Sequence, residues 1–543
     1  MQLIKRKSVA AGLLVSLLIL LTCANQQSQE SNLQVTLYGA AEKVSGSMTL
    51  VTSGNFDLLI DAGLYYPEGE GSYNERSEVA DRLNATIPIN ASDIDAVALT
   101  HAHLDHIGRL PLLISEGFIG DLFLTNGTYK LLNVMLDMQI RYDDLPRKWV
   151  YSINSVRTNS ENEQYVRAHW NHCQWQQRIA VRNMREYRGK RSESMEHIGI
   201  DLSPCQECAQ NALRELLSKI NIVQLGYGEE YSLDAYKTIR LLDAAHIPGA
   251  ASVYVTFKNN RGSEKRLLFS GDIGKTRNVL QHGLTPAPPA DLIWIENTYG
   301  GVVGDTDLVA EIAEFQTHLA ESLRDGGVAW IPAFALDRTQ QVLYLIQDAK
   351  QKNIIGKDTP VFTPSPSAAL ITNLYIAELE NKSGWFKDEV YDLEYPFAYH
   401  HRRMPETIPE SSIIITTSGM MESVFSSSLL NELLPETSTT VFTVGYQDPD
   451  TPGGQLRSDR DEILWDGESI SVNAKHLSFS LFSGHADALE LEYWLSNQNR
   501  TDARIFLMHG ELELLELQKS RFKQEGYKNV EIPIYGQTFE IDF

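Results

Sequence analysis

The stretch Leu99-Thr-His-Ala-His-Leu-Asp-His-Ile-Gly-Arg-Leu-Pro111 decides how this chain is read. It packs His101, His103, Asp105 and His106 into six positions. Nitrogen and carboxylate ligands at that density suit a pair of adjacent divalent metals, and with them metal-assisted hydrolysis. The alternative is a polar strand end with satisfied histidines. A single His would favour that alternative; three His and an Asp do not. Residues 95–100 form a short apolar run that reads as a buried strand. His101 and His103 extend it with a period of two, which aims both imidazoles the same way. Asp105-His106-Ile-Gly then reads as a turn opening a helix through Leu110 to Ile114. Asp105 and His106 therefore approach from another direction and serve a second metal. Neutral imidazole plus carboxylate is a zinc-type set that manganese or iron can also occupy.

One motif cannot complete two metal sites, so matching ligands are expected downstream. His246 follows an apolar run in Ile239-Arg-Leu-Leu-Asp-Ala-Ala-His-Ile-Pro-Gly249. Asp272 does so in Leu267-Leu-Phe-Ser-Gly-Asp-Ile-Gly274, and His509 in Ala503-Arg-Ile-Phe-Leu-Met-His-Gly-Glu511. Asp61, in Leu58-Leu-Ile-Asp-Ala-Gly63, has the same setting. Each polar residue ends a strand-like run and precedes Gly or Pro, where an α/β protein gathers its site. Singly each is more often structural; together they repeat one pattern.

These residues resemble the metallo-beta-lactamase fold, and more narrowly its beta-CASP nuclease branch of bacterial and archaeal type. Four opening signatures occur in order: Asp61, His101 to His106, His246 and Asp272. Glu296 in Ile293-Trp-Ile-Glu-Asn-Thr-Tyr-Gly300, His485 in Phe482-Ser-Gly-His-Ala-Asp487, and His509 in Met508-His-Gly-Glu511 resemble the three beta-CASP signatures. Pro332-Ala-Phe-Ala-Leu-Asp-Arg-Thr-Gln340, Thr417-Ser-Gly-Met420 and Val444-Gly-Tyr446 add to the likeness. It runs from about Leu33 to the C-terminus with one gap. The resemblance implies an α/β fold: an αββα sandwich with an inserted beta-CASP α/β domain. It implies two Zn2+, one on His101, His103 and His246, the other on Asp105, His106 and His509. Asp272 would bridge them, and Asp61 would orient a ligand imidazole. The implied reaction is phosphodiester hydrolysis by a hydroxide that the two metals activate. His485 would be the general acid and Glu296 its hydrogen-bond partner. A helix-capping or core role is the structural alternative for His485. Members acting on RNA keep a His at the third beta-CASP signature, so His509 favours a ribonuclease acting on single-stranded RNA.

The implied layout places the hydrolase sandwich at residues 33–298 and 472–543 and the beta-CASP domain at 299–471. Within the latter, helical patterns (Leu308 to Leu323, Thr339 to Lys350) alternate with strands (Val328 to Ile331, Ile413 to Thr417, Thr440 to Val444), which suggests a parallel sheet. Residues from about 131 to 216 fit the family poorly and read as an insertion holding three of the four cysteines. Cys173, Cys205 and Cys208, with His169 or His172, resemble a structural zinc site. A Cys205–Cys208 disulfide with Cys173 free is the alternative. The same insertion holds the clearest basic stretch, Arg178 to Arg191, with six Lys or Arg in fourteen residues. Arg182, Arg185, Arg188 and Arg191 are candidate RNA contacts; a solvated helix face is the alternative.

At 543 residues and 43% hydrophobic content the chain can bury more than one core. Its net charge of −24 argues against generic nucleic-acid affinity but not against a nuclease, since metals and a local basic groove can recruit substrate. Residues 1–24 read as a signal peptide or lipoprotein leader: Lys5-Arg6-Lys7 precedes a mostly apolar run, Val9 to Leu21, too short to be a firm membrane span. Leu20-Leu-Thr-Cys23 resembles a lipoprotein box, with Thr22 as a departure, so Cys23 is a candidate lipidation site. Residues 25–32 would be a tether. The expectation is a cell-envelope protein, periplasmic or held to the membrane by the leader or its lipid. A retained anchor at the cytoplasmic face is the alternative. Homo-oligomerisation is left open. Two rival functions stand: a thioester or lactam hydrolase on the same fold, and a non-catalytic RNA-binding subunit. The first would lack the 299–511 features, and the second would have lost metal ligands.

Overall fold

The computed structural model of this chain describes residues 33–142, 213–397 and 403–543, apart from positions 70, 72, 305, 306 and 459. The expected leader with Cys23, the tether, the Cys/His cluster (His169, His172, Cys173, Cys205, Cys208) and the arginines Arg182, Arg185, Arg188 and Arg191 lie outside the described residues. Among the described residues, no helix is long and apolar enough to cross a membrane.

Two seven-stranded sheets face each other. The first runs, in spatial order, Thr538–Ile541, Leu33–Leu37, Thr49–Ser53, Phe56–Ile60, Ala96–Ala98, Asp121–Thr125 and Asn221–Leu225. The second runs Asn529–Glu531, Arg504–Met508, Leu292–Glu296, Glu264–Phe269, Ala251–Lys258, Lys237–Asp243 and Glu230–Ser232. Leu33–Leu37 and Thr49–Ser53 alternate buried and half-buried residues, so one face of each strand enters the core. Leu292–Glu296 is buried at every position, as a strand covered on both faces should be. Between the sheets Trp294 stacks on Phe269 (ring centroids 4.8 Å apart) and on Phe506 (4.6 Å). Helices on the outer faces complete an αββα sandwich.

A third sheet forms a separate layer with the parallel order Val361–Phe362, Ser412–Thr416, Val328–Pro332, Thr439–Thr443 and Lys475–Ser478. Helices Leu308–Ser322 and Arg338–Gln351 pack beside it, close to the periodicities read from sequence. Asp307 caps the first of them by accepting from the Ala310 amide. The edge strand Lys475–Ser478 lies past residue 471, so this sheet draws on a segment that sequence reading had assigned to the sandwich. Arg76, on the sandwich helix Tyr73–Asn84, reaches across to Asp448 at 2.8 Å and Asp450 at 2.7 Å in the inserted domain.

Two local expectations change. The strand before the histidine motif stops at Ala98, so His101 and His103 lie in the connection to helix Leu104–Ile107 rather than in the strand itself. Gly63 and the loop around Asp61 crowd this connection and set its path: the Ala62 amide donates to the His106 carbonyl, and the Arg109 amide to that of Ala62. The start of the expected insertion, from about residue 131, falls within a helix of the sandwich. Helix Asn126–Tyr142 buries Leu131, Leu132 and Leu136 in the sandwich core.

Candidate metal centre

The expected ligands come together at one edge of the sandwich, at the carboxyl ends of strands, where an α/β sheet opens to a ligand. Asp61 follows Phe56–Ile60, and the histidine motif follows Ala96–Ala98. His246 follows Lys237–Asp243, Asp272 follows Glu264–Phe269, and His509 follows Arg504–Met508. Among the described residues, three groups have donor atoms close enough to share an ion: Asp272, Glu296 and His485, and the two sets of expected ligands, His101, His103, His246 and Asp272, and Asp105, His106 and His509. Asp272 reaches both. Its Oδ2 lies 3.3 Å from His101 Nε2, and its Oδ1 lies 3.2 Å from His106 Nε2 and 3.4 Å from His509 Nε2.

The spacing is that of ligands around an ion. His103 Nδ1 is 2.9 Å from His101 Nε2 and 3.2 Å from His246 Nε2, and the Nε2 atoms of His106 and His509 are 3.2 Å apart. Ligand nitrogens bound tetrahedrally at about 2.0–2.1 Å sit about 3.3 Å from one another. The opposite ring nitrogens are held elsewhere. His101 Nδ1 meets Thr100 Oγ1 at 3.1 Å, and His246 Nδ1 donates to the Gly484 carbonyl at 2.7 Å. His106 Nδ1 meets Asp61 Oδ2 at 2.7 Å, and His509 Nδ1 meets Thr298 Oγ1 at 3.0 Å. Each contact leaves the Nε2 lone pair facing the centre. Asp272 Oδ1 is buried without a hydrogen-bond partner, an orphan that a cation would satisfy.

Electrostatics point the same way. Burial pulls His101, His103 and His246 below the ordinary histidine range, which keeps them neutral and able to ligate. Burial acts on His106 and His509 too, but Asp272 with Asp61 lifts His106 well above that range, and Asp272 with Asp105 lifts His509 to about 9. Burial alone would raise Asp105 and Asp272; the surrounding histidines hold both well below the usual carboxylate range. Three buried carboxylates therefore demand positive charge at this point. In a protein without an ion that charge comes from protonated imidazoles, and divalent cations would replace it.

Beside the ligands, His485 Nδ1 lies 3.1 Å from Glu296 Oε1. Glu296 is pinned by the Ile273 amide (2.8 Å) and the Thr298 amide (3.1 Å). His485 is partly exposed while Glu296 is buried, so the pair spans from core to cleft. Thr100, Thr298 and the Gly484 carbonyl were not singled out in the sequence. Thr100 and Thr298 flank residues that were, and only the folded contacts show which ring each one holds.

Residues 41–122 match the metallo-beta-lactamase superfamily, and 339–456 match the Beta-Casp domain. The chain carries a metallo-beta-lactamase fold with an inserted Beta-Casp domain. Residues 469–533 match a Zn-dependent metallo-hydrolase RNA specificity domain. A ribonuclease of Thermus thermophilus is 26% identical over 493 residues, covering 89% of this chain and 94% of the relative. A transcription termination factor of Methanocaldococcus jannaschii is 22% identical over 91% of this chain and 70% of its own length. An RNase J-like protein of the same organism is 23% identical over 92% and 96%. With its His/Asp metal-binding sites, the chain is a metal-dependent hydrolase of the Beta-Casp type.

Proposed function

We propose that this protein is a zinc-dependent ribonuclease that hydrolyses phosphodiester bonds of single-stranded RNA. The observation that carries the reading is the meeting, at one edge of the sandwich, of two His/Asp clusters bridged by Asp272, with the His485–Glu296 pair beside them. The match to an RNA specificity domain and the likeness to a ribonuclease support RNA as the substrate.

His101, His103 and His246 would hold one Zn2+; Asp105, His106 and His509 would hold the other, with Asp272 between them. Bound there, the ions supply an activated water and neutralise charge on the phosphate. Asp61 keeps the His106 lone pair turned inward. Glu296 accepts a hydrogen bond from Nδ1–H of His485, which leaves Nε2–H of the same ring to hand its proton to the departing sugar oxygen. Glu296 cannot swing away, because two backbone amides hold it.

The test is cleavage of end-labelled single-stranded RNA and of a matched DNA, with and without chelator. RNA cleavage that chelator abolishes and added Zn2+ restores is expected. Chelator-sensitive activity confined to thioesters or lactams would sink the proposal. His485→Ala should slow RNA cleavage about 10²–10⁴-fold while metal content stays at the wild-type level.

A further inference from the structure

Arg338 opens the Beta-Casp helix Arg338–Gln351, yet its side chain lies against the metal centre of the other domain. It is only 7% exposed. Nη1 donates to Asp337 Oδ2 at 2.6 Å. That carboxylate is already crowded: Gln341 Nε2 donates to the same oxygen at 2.5 Å, and Gln281 Nε2 and the Tyr375 hydroxyl reach Oδ1 at 2.9 and 3.0 Å. Asp337 thus holds the guanidinium from behind and has no room for its second edge. Nε and Nη2 donate to no other described residue. The point where a β-carbon on Gly484 would sit is 1.8 Å from Arg338 Nη2 and 3.0 Å from His246 Cε1. Only glycine at 484 lets the guanidinium come this close to a ligand imidazole.

A guanidinium anchored on one edge, with the donors of its other edge unused beside a metal centre, is set up to receive an anion. We propose that Arg338 binds the non-bridging oxygens of the phosphodiester under attack, as the Beta-Casp domain's own contact to the reacting group. The proposal rests on the phosphodiesterase reading above. It makes Arg338 a substrate-contacting residue, with Asp337 positioning it. A planar fork suits two phosphate oxygens, and extra charge develops on those oxygens during the reaction.

The experiment uses the full-length zinc-loaded protein with single-stranded RNA and with bis(4-nitrophenyl) phosphate, a minimal phosphodiester. Arg338→Ala should lose about 10²–10³-fold in kcat/KM on both substrates at unchanged metal content. Added guanidinium ion, but not urea, should restore part of that loss, a response that a purely structural arginine would not give. Arg338→Lys keeps the charge and the stem and secures the test against misfolding; it should still lose about tenfold or more, because an ammonium cannot form the fork. Wild-type kcat/KM in either variant, or an Arg338→Ala loss that guanidinium leaves untouched, overturns the role of Arg338. A wild-type protein inactive on both phosphodiesters refutes instead the functional reading beneath it.

Discussion

Asp61→Asn isolates what one carboxylate does for the metal centre. Asp61 is buried and takes a left-handed backbone conformation, φ 61°, which asparagine tolerates, so the substitution adds no backbone strain. Its Oδ1 accepts from the Thr100 amide at 2.8 Å. Oδ2 takes the Thr100 hydroxyl at 2.8 Å, the Ser47 hydroxyl at 3.2 Å and His106 Nδ1 at 2.7 Å. Hydroxyls can turn to accept, but the Thr100 amide cannot. An asparagine has one oxygen for these two sides. If its oxygen faces His106, its NH2 meets the Thr100 amide, and an unsatisfied buried donor costs about 1–3 kcal/mol. If its NH2 faces His106, Nδ1 must accept, the proton moves to Nε2, and His106 can no longer ligate. Loss of such an orienting partner costs about 10–100-fold in metal affinity. Either arrangement has a signature. Competition against a chromophoric chelator reads the affinity, and thermal melting of the metal-free protein reads the stability. We expect the site containing His106 to weaken by that factor, or the metal-free protein to lose that stability. Wild-type values in both measurements would refute the assignment of Asp61 as the partner that fixes the His106 tautomer.

Trp294→Ala removes the ring between Phe269 and Phe506 at the centre of the sandwich and should cost about 3–5 kcal/mol by chemical denaturation; a change under about 1 kcal/mol would mean the sheets close over the gap. Arg76→Met cuts one of the ties between the two domains and leaves Asp448 buried without its cation, at a cost of about 3–5 kcal/mol at pH 7. Burial pushes the Asp448 carboxyl up, but Arg76 overcomes this and holds it below its ordinary value, so the stability it contributes is present above about pH 4 and lost as pH falls through the folded-state value. The gap between wild type and Arg76→Met should therefore narrow in urea titrations run below about pH 4; a gap that widens there would contradict the pairing.

The candidate ligands could be read in the sequence because each one obeys a local rule. Asp61, His246, Asp272 and His509 stand at the end of an apolar run beside Gly or Pro, and His101 to His106 crowd one turn. The alternation of strands and helices from residue 308 to 444 was equally local, and the structure returns it as a parallel sheet within a residue or two at most ends. The path of the chain through the motif was not local. The pattern could not show where the strand ends; the structure ends it at Ala98, and Gly63 packs closely against the Asp105 carbonyl in the segment that follows.

Pairings between distant segments had no signal at all. Nothing in the chain says that Thr298 holds His509, that the Gly484 carbonyl holds His246, or that Arg338 lies against Gly484. Nor does it say that Lys475–Ser478 closes the inserted sheet. Which residues can bind a metal follows from side-chain chemistry and spacing along the chain, and the sequence carries both. Which nitrogen of most of these rings faces the centre follows from contacts made across tens to hundreds of residues as the sandwich closes, and the placing of Arg338 beside them follows from the packing of the second domain.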